Sequence, residues 1–445
     1  MIKPDDKTPI SATDAEIVAR ASRGRRGRDD SDHRHTRHST KHKKPEVPGD
    51  REGIWKRIGR FMCWAGMIIV SIGMFVTGFG GYISPSALRI APTLVMTFPA
   101  WLLALLAMTV IAALTYRKAL LLALITWVGC LHPILEFSPM NFVTPSPADY
   151  RASQRFTFLT YNVTNLSDLT GKYDGDVNPT LSYIMRTNAD IVNVQEAIVP
   201  AVNAEKHITS AQIDSLHRLY PYIIMYGRSQ MIMSKFPVEV VHTGEAEIAA
   251  SLRKEAIANN AVVKPTGQIA LFRVNIYGTP VTIFDLHLQS YGLSSSDKSL
   301  YHDITEIKEA EKVKELKQLK STLSDVRHSL ISKISGAAIL RQADIGRLRQ
   351  LIEHYGGPNI IIAGDFNDVP CSYPLVSLER LGFKQVYEQV GFGPMITYNA
   401  NRFYFRIDHV LYRGGLKPLR MVRGSSRASD HYPLLTTFAI IKPNK

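Results

Sequence analysis

The chain has 445 residues, 45% of them hydrophobic and 21% charged, with 53 Lys and Arg against 39 Asp and Glu and a formal net charge of +14. That composition excludes collagen-like, wholly disordered and disulfide-scaffold proteins. The charge is unevenly spread, net +6 in residues 1–60, +1 in 61–150 and +7 in 151–445, and a 90-residue stretch with five charges argues against a simple soluble enzyme.

Residues 1–60 read as a disordered, basic, cytoplasmic tail. Arg, Ser, Asp, His and Gly dominate its first fifty positions, with too little apolar surface to offset the entropy of ordering. The histidines His33, His35, His38 and His42 fit a solvated basic stretch near anionic lipid better than a metal site. Residues 61–137 read as three transmembrane helices. Phe61–Leu88 and Ile90–Tyr116 are free of charge over 28 and 27 residues, and Ala119–Leu135 over 17. A span needs ~20 apolar residues, so the third run is the shortest candidate. A cleaved signal peptide does not fit, because 60 mostly polar residues precede the first run. Lys56, Arg57 and Arg60 abut the first span and Arg117–Lys118 lie between the second and third. The positive-inside rule puts both groups in the cytoplasm, and three spans then carry everything beyond about residue 140 to the other side. The expected location is the cytoplasmic membrane, multi-pass, with an extracytoplasmic domain. Cys63, Cys130 and Cys371 form no disulfide framework, so that domain must be held by its own core.

Residues 138–155, with three prolines, read as a linker, and 156–445 as one domain. Strands are predicted at Phe156–Asn162, Asp190–Glu196, Asn359–Phe366, Phe405–Tyr412 and Leu434–Ile441. A hairpin is predicted where QIALFRVNI and PVTIFDLHL meet at Tyr277–Gly278–Thr279. Pro179 opens a helix, and a long helical stretch fills about 294–356, its first half a solvated Lys/Glu helix. Arg341, Arg347 and Arg349 in its second half are read as an outer face rather than a polyanion track. A hairpin among helices argues for mixed or antiparallel sheets rather than a doubly wound parallel one.

Polar groups recur at the ends of apolar strands: Asn162 in TYNV, Glu196 in VQEA, His287 in DLHLQS, Asp365 and Asn367 in GDFND, Asp408 in RIDH, and Asp430 with His431 in SDHYP. A carboxylate after IVNVQ or IIIAG is costly to desolvate unless a cation or donor faces it. Each residue alone has an ordinary reading: Asn162 closing a turn, His287 a core histidine, Asp408 pairing with Arg406, Asp430 capping a turn. Together they supply what phosphate-ester hydrolysis needs, namely oxygen ligands for a hard cation, a base for water and donors for the developing charge.

With these motifs in this order, residues 155–441 resemble the endonuclease/exonuclease/phosphatase (DNase I-like) superfamily, and the whole chain resembles its membrane-anchored bacterial members. The family includes DNase I, abasic-site endonucleases, inositol polyphosphate 5-phosphatases and neutral sphingomyelinases. The resemblance implies a four-layer α/β sandwich with two central, mostly antiparallel sheets, preceded here by transmembrane helices. It also implies Mg2+, with Mn2+ as the alternative ion. By position, Glu196 is implied as the principal metal carboxylate, with Asn162 and Asp430 beside the ion. His431, oriented by Asp408, is implied to activate water or stabilise the phosphorane. Asp365 and Asn367 would handle the water and the scissile phosphate, and His287 would be a phosphate ligand or general acid. Tyr161 and Asp368 are read as structural. No counterpart is evident for the acid that partners the second histidine in the DNase I branch, since Glu245, Glu247 and Glu255 lie in a poorly patterned region.

The expected function is a membrane-anchored, metal-dependent phosphodiesterase acting on nucleic acid or a phospholipid headgroup, with the bilayer itself as a partner. The alternatives are a phosphomonoesterase on a small phosphate, and a catalytically idle, membrane-tethered binding domain. Net +7 over residues 151–445 is modest, and no basic run interleaved with aromatics marks a nucleic-acid path.

Overall fold

The computed structural model describes residues 51–142, 154–166, 177–197, 208–227, 229–259, 263, 265–291, 313–400 and 403–441, except the side chains of 51–52, 313–329 and 403. The tail's histidines and most of the 138–155 segment lie outside these residues.

The apolar runs form helices whose interruptions follow their prolines and glycines. The first, α1 (Arg51–Gly78), starts ten residues before the uncharged run, so Lys56, Arg57 and Arg60 ride on it. A short helix, α2 (Ala91–Met96), with Pro92 in its first turn, precedes α3 (Phe98–Thr115). The third run is split at Cys130 into α4 (Leu120–Gly129) and α5 (Leu131–Phe137). With its leading 3-10 turn, the pair bends by 61°. Among the described residues, two helices are long and apolar enough to cross a bilayer, or up to three if the bent pair counts as one. Phe61, Ile69, Leu103 and Leu114 on α1 and α3 are exposed, as lipid-facing residues would be, while Met67, Met74, Phe98 and Leu105 pack inside the helical group.

The domain is built on two six-stranded sheets. One comprises β1 (Gln154–Asn162), β2 (Ile191–Gln195), β3 (Tyr222–Tyr226) and β4 (Gln230–Ser234). The other takes β5 (Val238–Val240), β6 (Gln268–Ile276), β7 (Thr279–His287), β8 (Ile360–Asp365) and β9 (Lys384–Gln385). A two-stranded ribbon, β10 (Tyr398–Ala400) and β11 (Phe403–Phe405), stands apart. Strand β12 (Asp408–Arg413) returns to the second sheet, and β13 (Leu416–Arg423) and β14 (Leu434–Ile440) complete the first. The orders are β13-β14-β1-β2-β4-β3 and β5-β6-β7-β8-β12-β9. Only β1–β2 and β7–β8 are parallel among the strand pairs of the described residues. Strand alternation turns one set of side chains inward, so Phe156, Phe158, Phe272, Ile283, Ile361 and Phe438 meet between the sheets.

Helices close both outer faces, giving four layers. Leu181 and Ile184 of α6 (Pro179–Thr187) and Leu216 of α7 (Ser210–Leu219) cover the first sheet. The second sheet also packs against α8 (Glu245–Ala258), and its outer face takes Leu348, Leu351 and Ile352 of α9 (Val313–Tyr355) and Leu375 and Leu378 of α10 (Tyr373–Glu379). A last short helix, α11 (Val386–Val390), packs beside β13.

The mixed two-sheet sandwich expected from the hairpin pattern is present, and the hairpin turn is where it was expected. Tyr277 (φ 51°) and Gly278 (φ 82°) are both left-handed, the two-residue turn that matches strand twist. One strand differs from expectation. Phe405–Tyr412 is not continuous, because the hydroxyl of Thr397 accepts the Ile407 and Asp408 N–H groups (2.9 and 3.0 Å) and diverts the chain from the ribbon into β12. Arg341, Arg347 and Arg349 of α9 are all engaged: Arg349 with Glu353, Arg347 with Asp344 and Glu245, and Arg341 fully buried against Asp368 at 2.9 Å. Asp368 is therefore structural.

The apolar helices are docked on the domain. Gly81 lies so near the backbone of Cys371 that a Cβ there would stand 2.0 Å from its carbonyl oxygen. Glu136 of α5 is buried and accepts N–H bonds from Cys371 (2.6 Å) and Gln385 (2.8 Å), while Arg406 donates to its carbonyl. Ser335 of α9 donates to the Arg89 carbonyl at 2.7 Å, and Asn141 bonds Glu388 and Gly391.

Candidate active site

Register alone brings most of the site together. In the second sheet Asp365 at the end of β8 is the direct partner of His287 at the end of β7 and of Asp408 at the start of β12. In the first, Asn162 at the end of β1 pairs with Gln195, which precedes Glu196. Where the strands end, Glu196 (φ 54°) and Asn367 (φ 49°) adopt the left-handed backbone that non-glycine residues rarely take. Both lie just beyond strand ends, at the rim of the sandwich.

The eight residues expected at the site converge there. His431 Nδ1 lies 2.8 and 3.1 Å from the two Asp408 oxygens, and its Nε2 is 3.7 Å from Asp365 Oδ2. Asp408 thus engages the imidazole and not Arg406, whose guanidinium packs over Tyr387. Asn162 donates to Glu196 Oε1 and Asp365 Oδ2, both at 3.0 Å, and its side-chain Oδ1 accepts the Thr164 N–H. Asp365 is fixed further by the backbone N–H of Asn367 at 2.8 Å and its side-chain amide at 3.2 Å. His287 Nε2 faces Glu196 Oε1 at 3.5 Å and Asp365 Oδ2 at 3.8 Å. Asp430 takes the Thr164 hydroxyl and lines the same cavity as Glu196, His287, Asp365, Asn367 and His431.

This crowding sets the protonation states. Burial pushes the Asp365 carboxyl up, nearby His431 holds it back and Asp408 adds to the rise, leaving it at about 6. Burial alone would lower His431. The charges of Asp408 and Asp365 outweigh it and raise the imidazole to about 10. These neighbouring charges favour the imidazolium form of His431 in the metal-free protein. Behind it, between the sheets, Asp285 is raised to about 8 by burial, although Gln195 and Asn193 donate to it at 2.6 and 2.9 Å.

The donor set suits a hard divalent cation. Ligand atoms of Glu196, His287 and Asp365 lie within 4.8 Å of one another, as do those of Asp365, Asp408 and His431. The second group is already paired internally through His431 and Asp408. In the first, Glu196 Oε1 and Asp365 Oδ2 flank one cavity and converge on the same Asn162 amide, the anionic oxygen chemistry a hard divalent cation takes.

Sequence reasoning missed several supporting groups. Thr397 holds the Asp408 backbone, and Ser429 accepts the His431 N–H at 3.1 Å while donating to the Asn162 carbonyl at 2.7 Å. The Tyr398 ring packs edge-on to His431 at 4.9 Å. Thr93 and Met96 of α2 line the cavity from outside the domain. Ser429 and Thr164 sit inside or beside quoted motifs, whereas Thr397, Tyr398 and Met96 carry no local signal.

A two-sheet α/β sandwich with carboxylates and histidines meeting at its strand ends defines the phosphoesterase class of fold. Residues 159–431 match the Endonuclease/Exonuclease/phosphatase family. The match covers more than half of the chain, which belongs to that family of phosphate-ester hydrolases. Similar solved structures include TDP2 from Caenorhabditis elegans, at 18% identity and TM-score 0.37 over 64% of this chain and 74% of that one. An endonuclease/exonuclease/phosphatase from Beutenbergia cavernae is 15% identical, with TM-score 0.41 over 65% and 72%. ANGEL2, a 2',3'-cyclic phosphatase, is 15% identical, with TM-score 0.37 over 65% and 96%. No curated protein matches this chain.

Proposed function

We propose that this chain is a membrane-anchored, divalent-metal-dependent phosphodiesterase whose catalytic domain, residues 156–445, lies outside the cytoplasm. The division is a tail (1–60), three spans (61–137), a linker (138–155) and that domain. The observation that carries the activity is the Asp408–His431–Asp365 row beside Glu196 and His287, held by register and by Asn162. Glu196 would hold the cation, with Asp430 and Asn162 beside it, while Asp365 and His287 stay free to exchange protons. The cation would supply a positive charge opposite the phosphoryl oxygens.

The chain's own groups account for the proton movements. Asp365, ionised above about pH 6, takes a proton from the attacking water. The oxygen of that water bonds phosphorus, and the P–O bond to the departing alcohol breaks. His431, kept cationic and oriented by Asp408, stabilises the charge that develops on the phosphoryl oxygens. His287, across the cavity, protonates the departing oxygen, so that one diester and one water give one monoester and one alcohol. Asn367 steadies the phosphate.

Parity supports the topology. The loop before α2 touches the domain through Gly81, Ser86 and Arg89, so loop and domain share one side of the bilayer. Helix α3 leaves that side, and residues 117–137 must return to it. The N-terminal cations then lie on the opposite, cytoplasmic side.

The test uses the full chain in detergent with bis-p-nitrophenyl phosphate and Mg2+ or Mn2+. Turnover should be abolished by His431→Ala. No turnover with either ion, or turnover untouched by the substitution, overturns the reading. A reporter fused after Lys445 that matures only outside the cytoplasm should be active, and a silent one rejects the three-span topology.

A further inference from the structure

The cavity that holds the catalytic groups has two unlike walls. It is about 380 Å3 in volume, within the range of small-molecule sites and room for about a dozen waters. One wall is the row of carboxylates and histidines. The other is formed by Met96 of α2, Leu330 and Ile334 of α9, and Phe405 and Ile407 around the ribbon. Helix α2 is seated firmly: its Val95 is buried against Val369, Cys371 and Ile407, with Met96, Tyr398 and Phe405 packed on that cluster. Part of the catalytic cavity is therefore built by the connection between two helices long enough to span a bilayer. The cavity reaches Thr97, the residue just before α3, and so borders the start of that helix.

We infer that this wall is a subsite for the apolar chain of a membrane lipid, so that the site's substrate is a phosphodiester carried on a hydrocarbon tail. The inference rests on the phosphodiesterase reading above. Lining chemistry favours a lipid over a nucleic acid. No Lys or Arg is among the described residues that line the cavity, whereas a polyanionic backbone is bound through cations. The tail lies on Met96, Leu330 and Ile334, the phosphate meets Glu196, His287, Asp365 and His431, and the path to the bilayer runs along the start of α3. Binding energy from the tail holds the phosphate in place for attack.

The experiment compares two diesters with one leaving group, hexadecyl p-nitrophenyl phosphate and methyl p-nitrophenyl phosphate, for the full chain in the same mixed micelles with Mg2+ or Mn2+. The hexadecyl ester should have the higher kcat/KM by at least about tenfold, a factor that burying two methylenes already supplies. In Met96→Asp and in Leu330→Asp the ratio should fall to about one, and the methyl-ester rate reports whether each variant is folded. Equal turnover of the two esters by the unaltered chain, or a ratio untouched in both variants, overturns the lipid subsite and leaves the phosphodiesterase reading standing. A single-stranded oligonucleotide cleaved with higher kcat/KM than the hexadecyl ester also overturns it, in favour of nucleic acid. Turnover of neither ester overturns both readings together.

Discussion

Replacing Asp408 by Asn tests the electrostatic core of the site with little change of shape. The asparagine carbonyl can still accept the His431 Nδ1–H that now meets Asp408 at 2.8 Å, so the tautomer is kept while the charge is lost. Burial pulls the His431 pKa down, and Asp408 is the largest influence opposing it, with Asp365 next, for a net rise from 6.5 to about 10. At ~1.36 kcal/mol per tenfold change in proton affinity, that preference for the cation is worth on the order of 5 kcal/mol in the metal-free protein. A folded-state value above the unfolded one adds stability that is complete below pH 6.5 and is lost as pH climbs through about 10. In Asp408→Asn the His431 titration should fall well below 10, and this alkaline loss of stability should flatten. Activity at neutral pH should drop by roughly 10²–10⁴, the usual contribution of a positioned acid or base. Heteronuclear NMR of the histidine Cε1–H resonances, assigned with a His431→Gln variant, reads the titration, and bis-p-nitrophenyl phosphate reads the rate. An unshifted His431, or a rate loss below tenfold, would refute the reasoning.

Three further outcomes follow from particular contacts. Asp285, raised to about 8 by burial, keeps a proton that the unfolded chain releases near pH 4, so its contribution to stability declines as pH rises between those values. Asp285→Asn should raise Tm at pH 8 by roughly 2–4 °C, about 1 kcal/mol, and the gain should vanish toward pH 4 in calorimetry. Gly81→Ala places a Cβ 2.0 Å from the Cys371 carbonyl and should cost about 1–3 kcal/mol in denaturant unfolding, while Gly59→Ala, inside α1 with nothing within 4 Å, should not destabilise. EDTA should abolish turnover, Mg2+ or Mn2+ should restore it, and Glu196→Gln should raise the ion concentration required by at least tenfold in a metal titration.

The candidate site was legible where a strand supplied a frame. Asn162, Glu196, His287, Asp365 and Asp408 each mark the point where an apolar run meets a polar residue, and period-two geometry carries such residues to a common edge. Residues whose role comes from distant partners left no local trace. Thr397 is an unremarked threonine until its hydroxyl accepts two backbone N–H groups eleven and ten residues on. For the same reason Phe405–Tyr412 read as a single strand, since alternation does not reveal a bend imposed by a tertiary hydrogen bond. Glu136 was the missed signal. A carboxylate at the end of a long apolar run needs a partner, and that partner is the loop after β8. Met96 looked like one more membrane residue, because hydropathy does not distinguish a side chain facing lipid from one lining a cavity.

The seating of α2 bears on what happens if the chain is cut. Protease shedding between the last apolar helix and the first strand would not release an intact soluble catalyst. It would uncover Val369, Cys371 and Ile407, leave Arg406 without the Glu136 carbonyl, and remove one side of the reaction chamber. On the proposed reading, turnover of bis-p-nitrophenyl phosphate should belong to the chain that keeps its apolar helices, and a fragment cut at that point should be inert and prone to aggregate.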